Sequence, residues 1–364
     1  MQACAAVLRA FNKPLAVESV TIPALEPGQA LVELIAAGVC GSDVHMWQGR
    51  DPRTPLPMIL GHEGAGRLVD VNGPRVDIHG RHLAAGDLVL WERGVSCGSC
   101  YYCTVKHEPA LCPQRWAYGI HRGLNQPPYL NGCYGTHVVL DARTSLLALE
   151  PGDDPCVLVS AACSGATAAH GFALSPAEIG DTVVILGPGP VGIYSTLLAK
   201  ASGAEQVIVI GGTGARLDFC RQVGATHLLN RHELTAEQRR AAVLELTHGR
   251  GADLVVEASG TLSAACEGLD LLRSGGVLSL VGFGEPAGEL SLPPFEALCR
   301  KNTRIQGVWV SDLSHTLQAV SLARQHRQTL AGMVTQRFAL NEATAALQAV
   351  NSRDVIKAVI LPNG

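Results

Sequence analysis

The segment TVVILGPGPVGIYSTLLAK, Thr182 to Lys200, decides the fold. A β-forming run enters the turn Gly187-Pro188-Gly189-Pro190-Val191-Gly192, and a helical apolar pattern leaves it. A GxGxxG string alone is a weak signal. Between strand and helix it has a mechanism: a tight turn, close backbone approach to a pyrophosphate, and an anion at a helix N-terminus. The context predicts a dinucleotide site at Gly187, Gly189, Pro190, Val191 and Gly192. The next strand, Gln206 to Ile210, ends in Gly211-Gly212-Thr213, and no carboxylate follows until Asp218. A carboxylate there would hold the ribose 2′-hydroxyl and repel a 2′-phosphate. In its place Arg216 stands where it can pair with a phosphate, which favours NADP over NAD. The alternative is NAD held by Thr213 and backbone groups, with Arg216 on a solvated helix face.

Working outward, the alternation continues downstream as QVIVIG, a helix over 215–223, HLLN, a helix over 236–247, DLVVEAS, a helix over 262–272 and GVLSLVG. Short connections between such elements imply parallel βαβ units in a doubly wound sheet. Upstream, residues 1 to about 160 read as short strands, among them 30–35, 66–71, 87–91 and 137–140, broken by Pro-Gly, Gly-Asp and Asn-Gly turns. The last 60 or so residues return to a mixed pattern: helices over 313–326 and 341–350, and a strand over 357–361. The expected organisation is a first domain built from 1–164 and 306–364, with a nucleotide domain, 165–305, inserted in it.

At about 150 residues per domain, 364 residues hold two cores. With 47% apolar and 16% charged residues the chain is neither disordered nor fibrous. Its 28 Lys and Arg against 32 Asp and Glu, net charge −4, lack the clustered positive excess that nucleic acid or an anionic membrane requires. The stretches 155–177 and 182–199 carry no Asp, Glu, Lys or Arg, but Gly, Pro, Ser and Thr interrupt them. They read as buried strand and helix rather than membrane spans. The start, MQACAAVLRAFNKP, lacks a secretory pattern, so the expected location is the cytoplasm.

There are 12 cysteines, and in this setting reduced thiols and metal ligands are their expected uses. Cys97, Cys100, Cys103 and Cys112 fall at structural-zinc spacing and would form a closed site that staples a loop. A second set is dispersed: Cys40-Gly41-Ser42-Asp43-Val44-His45, Gly61-His62-Glu63, and Cys163 in AACSGAT. A catalytic zinc takes ligands from separate segments and leaves one position open for substrate. Cys4, Cys133, Cys156, Cys220, Cys266 and Cys299 match no motif and read as small buried hydrophobes.

Taken in order, CGSDxH, GHE, the cysteine lobe and GxGxxG make the whole chain resemble the zinc-containing medium-chain dehydrogenases/reductases, the alcohol and polyol dehydrogenase superfamily. The resemblance implies an α/β fold: a GroES-like β-rich catalytic domain plus a doubly wound Rossmann domain, with the active site in the cleft between them. It implies that Cys40, His62 and Cys163 bind a catalytic zinc and that Glu63 is a carboxylate that approaches the metal. Ser42 would hydrogen-bond the alcohol, His45 would end a proton relay, and Asp43 would orient the metal-bound histidine. Thr167 would contact the nicotinamide, and Val281 would also border the cofactor. The gap from Cys103 to Cys112 holds eight residues where the usual pattern has seven, so the lobe is expected to carry a one-residue bulge if Cys112 is to bind.

The expected chemistry is hydride transfer between NAD(P) and an alcohol/carbonyl pair, the alcohol secondary or bulky. A reductase of an activated C=C or C=N bond is the alternative, and Ser42 with His45 argues for the former. A nucleic-acid-binding zinc ribbon would need more basic residues around the lobe than Arg93, Lys106, Arg115 and Arg122. Trp47, Trp91, Trp116, Tyr118 and Trp309 are candidates for the substrate pocket or for packing, and Arg93 for an anionic substrate or for solvent. The resemblance also implies a homodimer or homotetramer, paired through an edge strand at 278–282 or 306–310.

Overall fold

The computed structural model describes residues 1–364 and separates into two compact units, 1–163 with 312–364, and 164–311. The first is built on a seven-stranded sheet. Its path runs Leu146–Ala148, Leu88–Trp91, Glu63–Val71, Ala30–Val39, Lys357–Leu361 and Val334–Ala339, and His137–Leu140 also pairs with Ala30–Val39. Ala30–Val39 is therefore central, antiparallel to Glu63–Val71 on one side and to Lys357–Leu361 on the other. Its run ALVELIAAGV is apolar enough to be covered on both faces, and most of it is buried. Leu34, Met58, Leu60, Trp91, Tyr134 and Ile360 belong to the core around it.

The second unit carries a six-stranded parallel sheet in the order His227–Asn230, Gln206–Gly211, Thr182–Leu186, Ala252–Glu257, Leu272–Leu280, Arg304–Gly307. In chain order this is third, second, first, fourth, fifth, sixth: the doubly wound arrangement, whose direction reverses between the first and fourth strands. Thr182–Leu186 is buried throughout, as expected of a parallel strand covered on both faces. The expected domain end at 305/306 falls inside Arg304–Gly307, which pairs with Leu272–Leu280; hydrogen bonding keeps 306 and 307 with this sheet.

The uncharged stretch 155–177 contains a helical run, Pro155–Leu174, that is long and apolar enough to cross a membrane by length and composition. Its apolar window is 78% buried inside the fold, so it is packed as a core helix. Asp154 starts the run as N-cap, accepting from the Cys156 N–H at 2.9 Å, with Pro155 at the first helical position.

At the switch point the three glycines have separate reasons. Gly187 has φ +112° and lies against Ser259. At Gly189 a side chain would meet nothing, so the N-terminus of helix Pro190–Ala201 is open on that side. A Cβ at Gly192 would stand 1.9 Å from the Gly187 carbonyl oxygen. The change Gly192→Ala is expected to push turn and helix apart, lowering stability by about 1–3 kcal/mol. Denaturant unfolding, with NADPH fluorescence as the probe of cofactor binding, measures both effects.

Candidate active site

Helix Gly41–Trp47 begins at Cys40, and its third residue, Asp43, folds back to accept the Cys40 N–H at 2.8 Å. The other Asp43 oxygen accepts the Gly61 N–H at 3.3 Å and lies 3.2 Å from His62 Nδ1. Asp43 is fully buried, so all these contacts form out of water. With Nδ1 on the carboxylate, Nε2 points to the Cys163 sulfur at 3.2 Å, and that sulfur is 4.0 Å from the sulfur of Cys40. Cys163 stands in a π turn, Ala161–Gly165, the kind of local widening that recurs at functional positions in helices. The ligand atoms of Cys40, His62, Glu63 and Cys163 all lie within 4.8 Å of one another.

These donors fit zinc. Two thiols, an imidazole and a carboxylate are its preferred set, and a histidine held at its far nitrogen by a carboxylate is the usual support for a metal ligand. The hydrogen bond to Cys163 holds the Cys40 thiol well below its ordinary range, and the same contact pushes Cys163 well above. A divalent cation bound there would displace thiol protons and make both thiolates. Burial opposes charge on His62, but Asp43 outweighs it and raises the imidazole to about 10. A cation bound at Nε2 would displace the proton from that nitrogen.

Glu63 is placed by the sheet. It pairs with Gly38 across the central strand, and Val39 pairs with Ala358 on the other side. A Cβ at Gly38 would be 1.9 Å from Glu63 Oε2, so only glycine lets the carboxylate cross the strand. Beyond it Lys357 Nζ stands 2.6 Å from that oxygen, both side chains at most 1% exposed. Burial pushes the Glu63 carboxyl up, while Lys357 draws it back; burial likewise works against the Lys357 charge, but Glu63 prevails and raises it. The pair is a contact of charges. Sequence reasoning missed Lys357, although a lone lysine opening the apolar strand KAVIL was a signal.

Ser42 and His45 are half-buried, one turn apart on helix Gly41–Trp47, so their side chains share a face. Arg93, only 6% exposed, donates from Nη1 to the Cys163 sulfur at 2.6 Å rather than standing in solvent. Next to it Glu92 accepts from Gly94 N–H, Arg115 and the Thr316 hydroxyl. Most of the candidate pocket aromatics serve the fold. Trp91 fills the space beside Gly64, Tyr118 bonds Thr144 and the Asp141 N–H, and Trp116 lies 3.7 Å under Arg122. Trp47 bonds the Lys13 carbonyl, and Trp309 is 43% exposed.

A second donor cluster gathers Cys97, Cys100, Cys103 and Cys112, again within 4.8 Å. The N–H groups of Ser99 and Cys100 both donate to Cys97, which helps hold that thiol down to about 6. Between Cys103 and Cys112 the chain makes a π turn, Tyr102–Lys106, which ends on His107 at φ +55°. Cys112 is thereby brought to the other three sulfurs.

Among the cofactor candidates, Gly187, Gly189, Pro190, Val191 and Gly192 lie at the turn just described. Gly211 ends the neighbouring strand against the Pro188 ring, and Thr213 caps the helix Gly214–Gln222 that carries Arg216. Thr167 is half-buried in helix Ala166–Leu174, and buried Val281, beyond Leu272–Leu280, donates its N–H to the Glu257 carbonyl. Sequence reasoning missed Arg231 and His232. Their side chains fold over Gly212, where a Cβ would meet His232 Nε2 at 2.5 Å and Arg231 Nε at 2.7 Å. They follow the third strand, too far along the chain from Gly211 for its motif to point to them.

Removing the cation from the Glu63 pair leaves a buried charge without its partner. Lys357→Met is expected to cost about 3–5 kcal/mol, and Glu63→Gln combined with it to recover much of that loss. A double-mutant cycle on denaturant unfolding reads the coupling.

Residues 26–151 match the family model for the alcohol dehydrogenase GroES-like domain, and residues 190–325 match that for zinc-binding dehydrogenases. The chain is 36% identical to 5-exo-hydroxycamphor dehydrogenase of Pseudomonas putida over 350 residues, 94% of this chain and 95% of that one. It superposes with a TM-score of 0.96 on an alcohol dehydrogenase from Thermotoga maritima, at 47% identity and with both chains fully covered. A zinc-binding dehydrogenase from Sinorhizobium meliloti, described as putative and solved bound to NADP, aligns over both full chains at 25% identity and a TM-score of 0.84. Matches along both units, on a fold that gathers the two cysteine clusters, show that the chain belongs to the zinc-containing medium-chain dehydrogenase/reductase family.

Proposed function

We propose that the chain is a zinc-dependent oxidoreductase that moves a hydride between NADP and a secondary or bulky alcohol and its carbonyl. The observation that carries the reading is the convergence of Cys40, His62 and Cys163, with Asp43 on the far nitrogen of His62. A relative named for hydroxycamphor supports a bulky substrate, and relatives named for sorbitol and threonine support hydroxyl chemistry more broadly.

Zinc, when bound, supplies Lewis acidity to the substrate oxygen, and the nicotinamide supplies the hydride acceptor. The chain does the rest. Cys40, Cys163 and His62 hold the metal, and Asp43 fixes the ring of His62. Ser42 Oγ would accept the substrate hydroxyl proton as it gives up its own, and the His45 imidazole would take that released proton and pass it outward. Glu63, tethered to Lys357, keeps a carboxylate beside the ligands. Cys97, Cys100, Cys103 and Cys112 hold the structural zinc. Nicotinamide absorbance of the zinc-loaded protein, offered primary, secondary, cyclic and acidic alcohols, is expected to change with the secondary and cyclic ones and to stop with a chelator. Turnover that survives complete zinc removal, or reduction of C=C or C=N compounds alone, overturns the reading.

For the cofactor, Arg231 and His232 against Gly212, with Arg216 on the helix that follows it, support a 2′-phosphate where the ribose carboxylate is missing. The NADP-bound relative supports the same choice. The position of Arg304–Gly307 as the outermost strand supports pairing into a homodimer or homotetramer at the 306–310 edge; 278–282 is less suited, because Leu272–Leu280 lies inside the sheet. NADPH is expected to bind about ten-fold tighter than NADH, and Arg231→Ala with His232→Ala to erase the difference by weakening NADPH alone. Fluorescence titration decides it, and equal weakening of both cofactors overturns the phosphate assignment.

A further inference from the structure

We propose that Arg93 is a positioning residue of the metal centre, acting through the sulfur of Cys163 and not through the substrate. It rests on the zinc reading above. The guanidinium is buried, and its Nη1 stands 2.6 Å from that sulfur. The adjacent carboxylate, Glu92, is engaged with the Gly94 N–H, Arg115 Nη2 and the Thr316 hydroxyl. A buried guanidinium is costly unless its charge meets an opposite one. Once a cation has displaced its proton, the Cys163 thiolate supplies such a charge, and Arg93 is always protonated, so the contact becomes a charge-assisted hydrogen bond.

The consequence lies in the sulfur's electrons. A thiolate that accepts a hydrogen bond from a cation gives less charge to its metal, so a zinc held by Cys40, His62 and Cys163 stays more electrophilic toward an alcohol oxygen. Arg93 also fixes the direction of the sulfur within the π turn Ala161–Gly165. Both effects act on the metal without touching the substrate, so neutral alcohols benefit as much as charged ones.

The test uses the full chain with zinc kept at the four-cysteine cluster and cobalt(II) exchanged only into the Cys40–His62–Cys163 position, because sulfur-to-cobalt charge transfer there reports the thiolate's electrons directly. Wild type, R93M and R93K are compared, with circular dichroism confirming the fold; if R93M does not fold, R93Q takes its place. The expected result is a charge-transfer band displaced to longer wavelength in R93M, with the visible ligand-field bands retained, and an intermediate position in R93K. In the zinc forms kcat falls roughly ten-fold or more in R93M, with KM for a neutral alcohol unchanged. An identical band in folded wild type and variants overturns the proposal. So does an unshifted band with KM raised for anionic alcohols alone, which would assign Arg93 to the substrate. A wild type that shows no charge-transfer band from the exchanged position, while the four-cysteine cluster keeps its zinc, overturns the catalytic zinc itself, and the proposal with it.

Discussion

One fully buried carboxylate organises the candidate centre. Asp43 accepts the Cys40 and Gly61 N–H groups and meets Nδ1 of His62, so it locks two chain segments eighteen residues apart into a single geometry. A buried carboxylate is tolerated only when its oxygens are occupied. The requirement runs both ways: the loops must close for the charge to be satisfied, and the charge fixes which tautomer the histidine presents. The positions of Cys40 and His62 follow from this contact.

Around it the sheet supplies positions that local sequence cannot encode. The strand pattern of ALVELI and the turn GPGPVG were legible because period and punctuation are local. The ligand residues were legible because their spacings form family motifs. Lys357 and Arg93 were not, since each acquires its role from a register or a packing contact made across almost the whole unit. Arg93 shows the difference plainly: from sequence it stands in a turn before the cysteine lobe, and only the fold turns it inward to a sulfur seventy residues away. Arg231 and His232 escaped for the same reason, because the strand order brings the third strand's end beside the second's.

One device, the π turn, occurs at both sulfur clusters. At 102–106 a π turn lies inside the cysteine lobe beside Cys103, and at 161–165 another presents Cys163. Such turns cost hydrogen-bond geometry, and they persist here because sulfur contacts over-determine the local backbone.

The glycine window at 38 has a consequence in time. Glu63 leaves the ribosome early, whereas the lysine that neutralises it across Gly38 is residue 357 and follows the entire nucleotide-binding unit. At about 5–20 residues per second the carboxylate waits roughly 15–60 s for its partner. During that interval the central strand has Glu63–Val71 on one side and, on the other, only His137–Leu140 along its first residues; the stretch around Gly38 has no neighbour there, and the carboxylate can stay solvated only while that stretch stays open. The last antiparallel strand to be made therefore closes the sheet and expels water from the metal site in a single event.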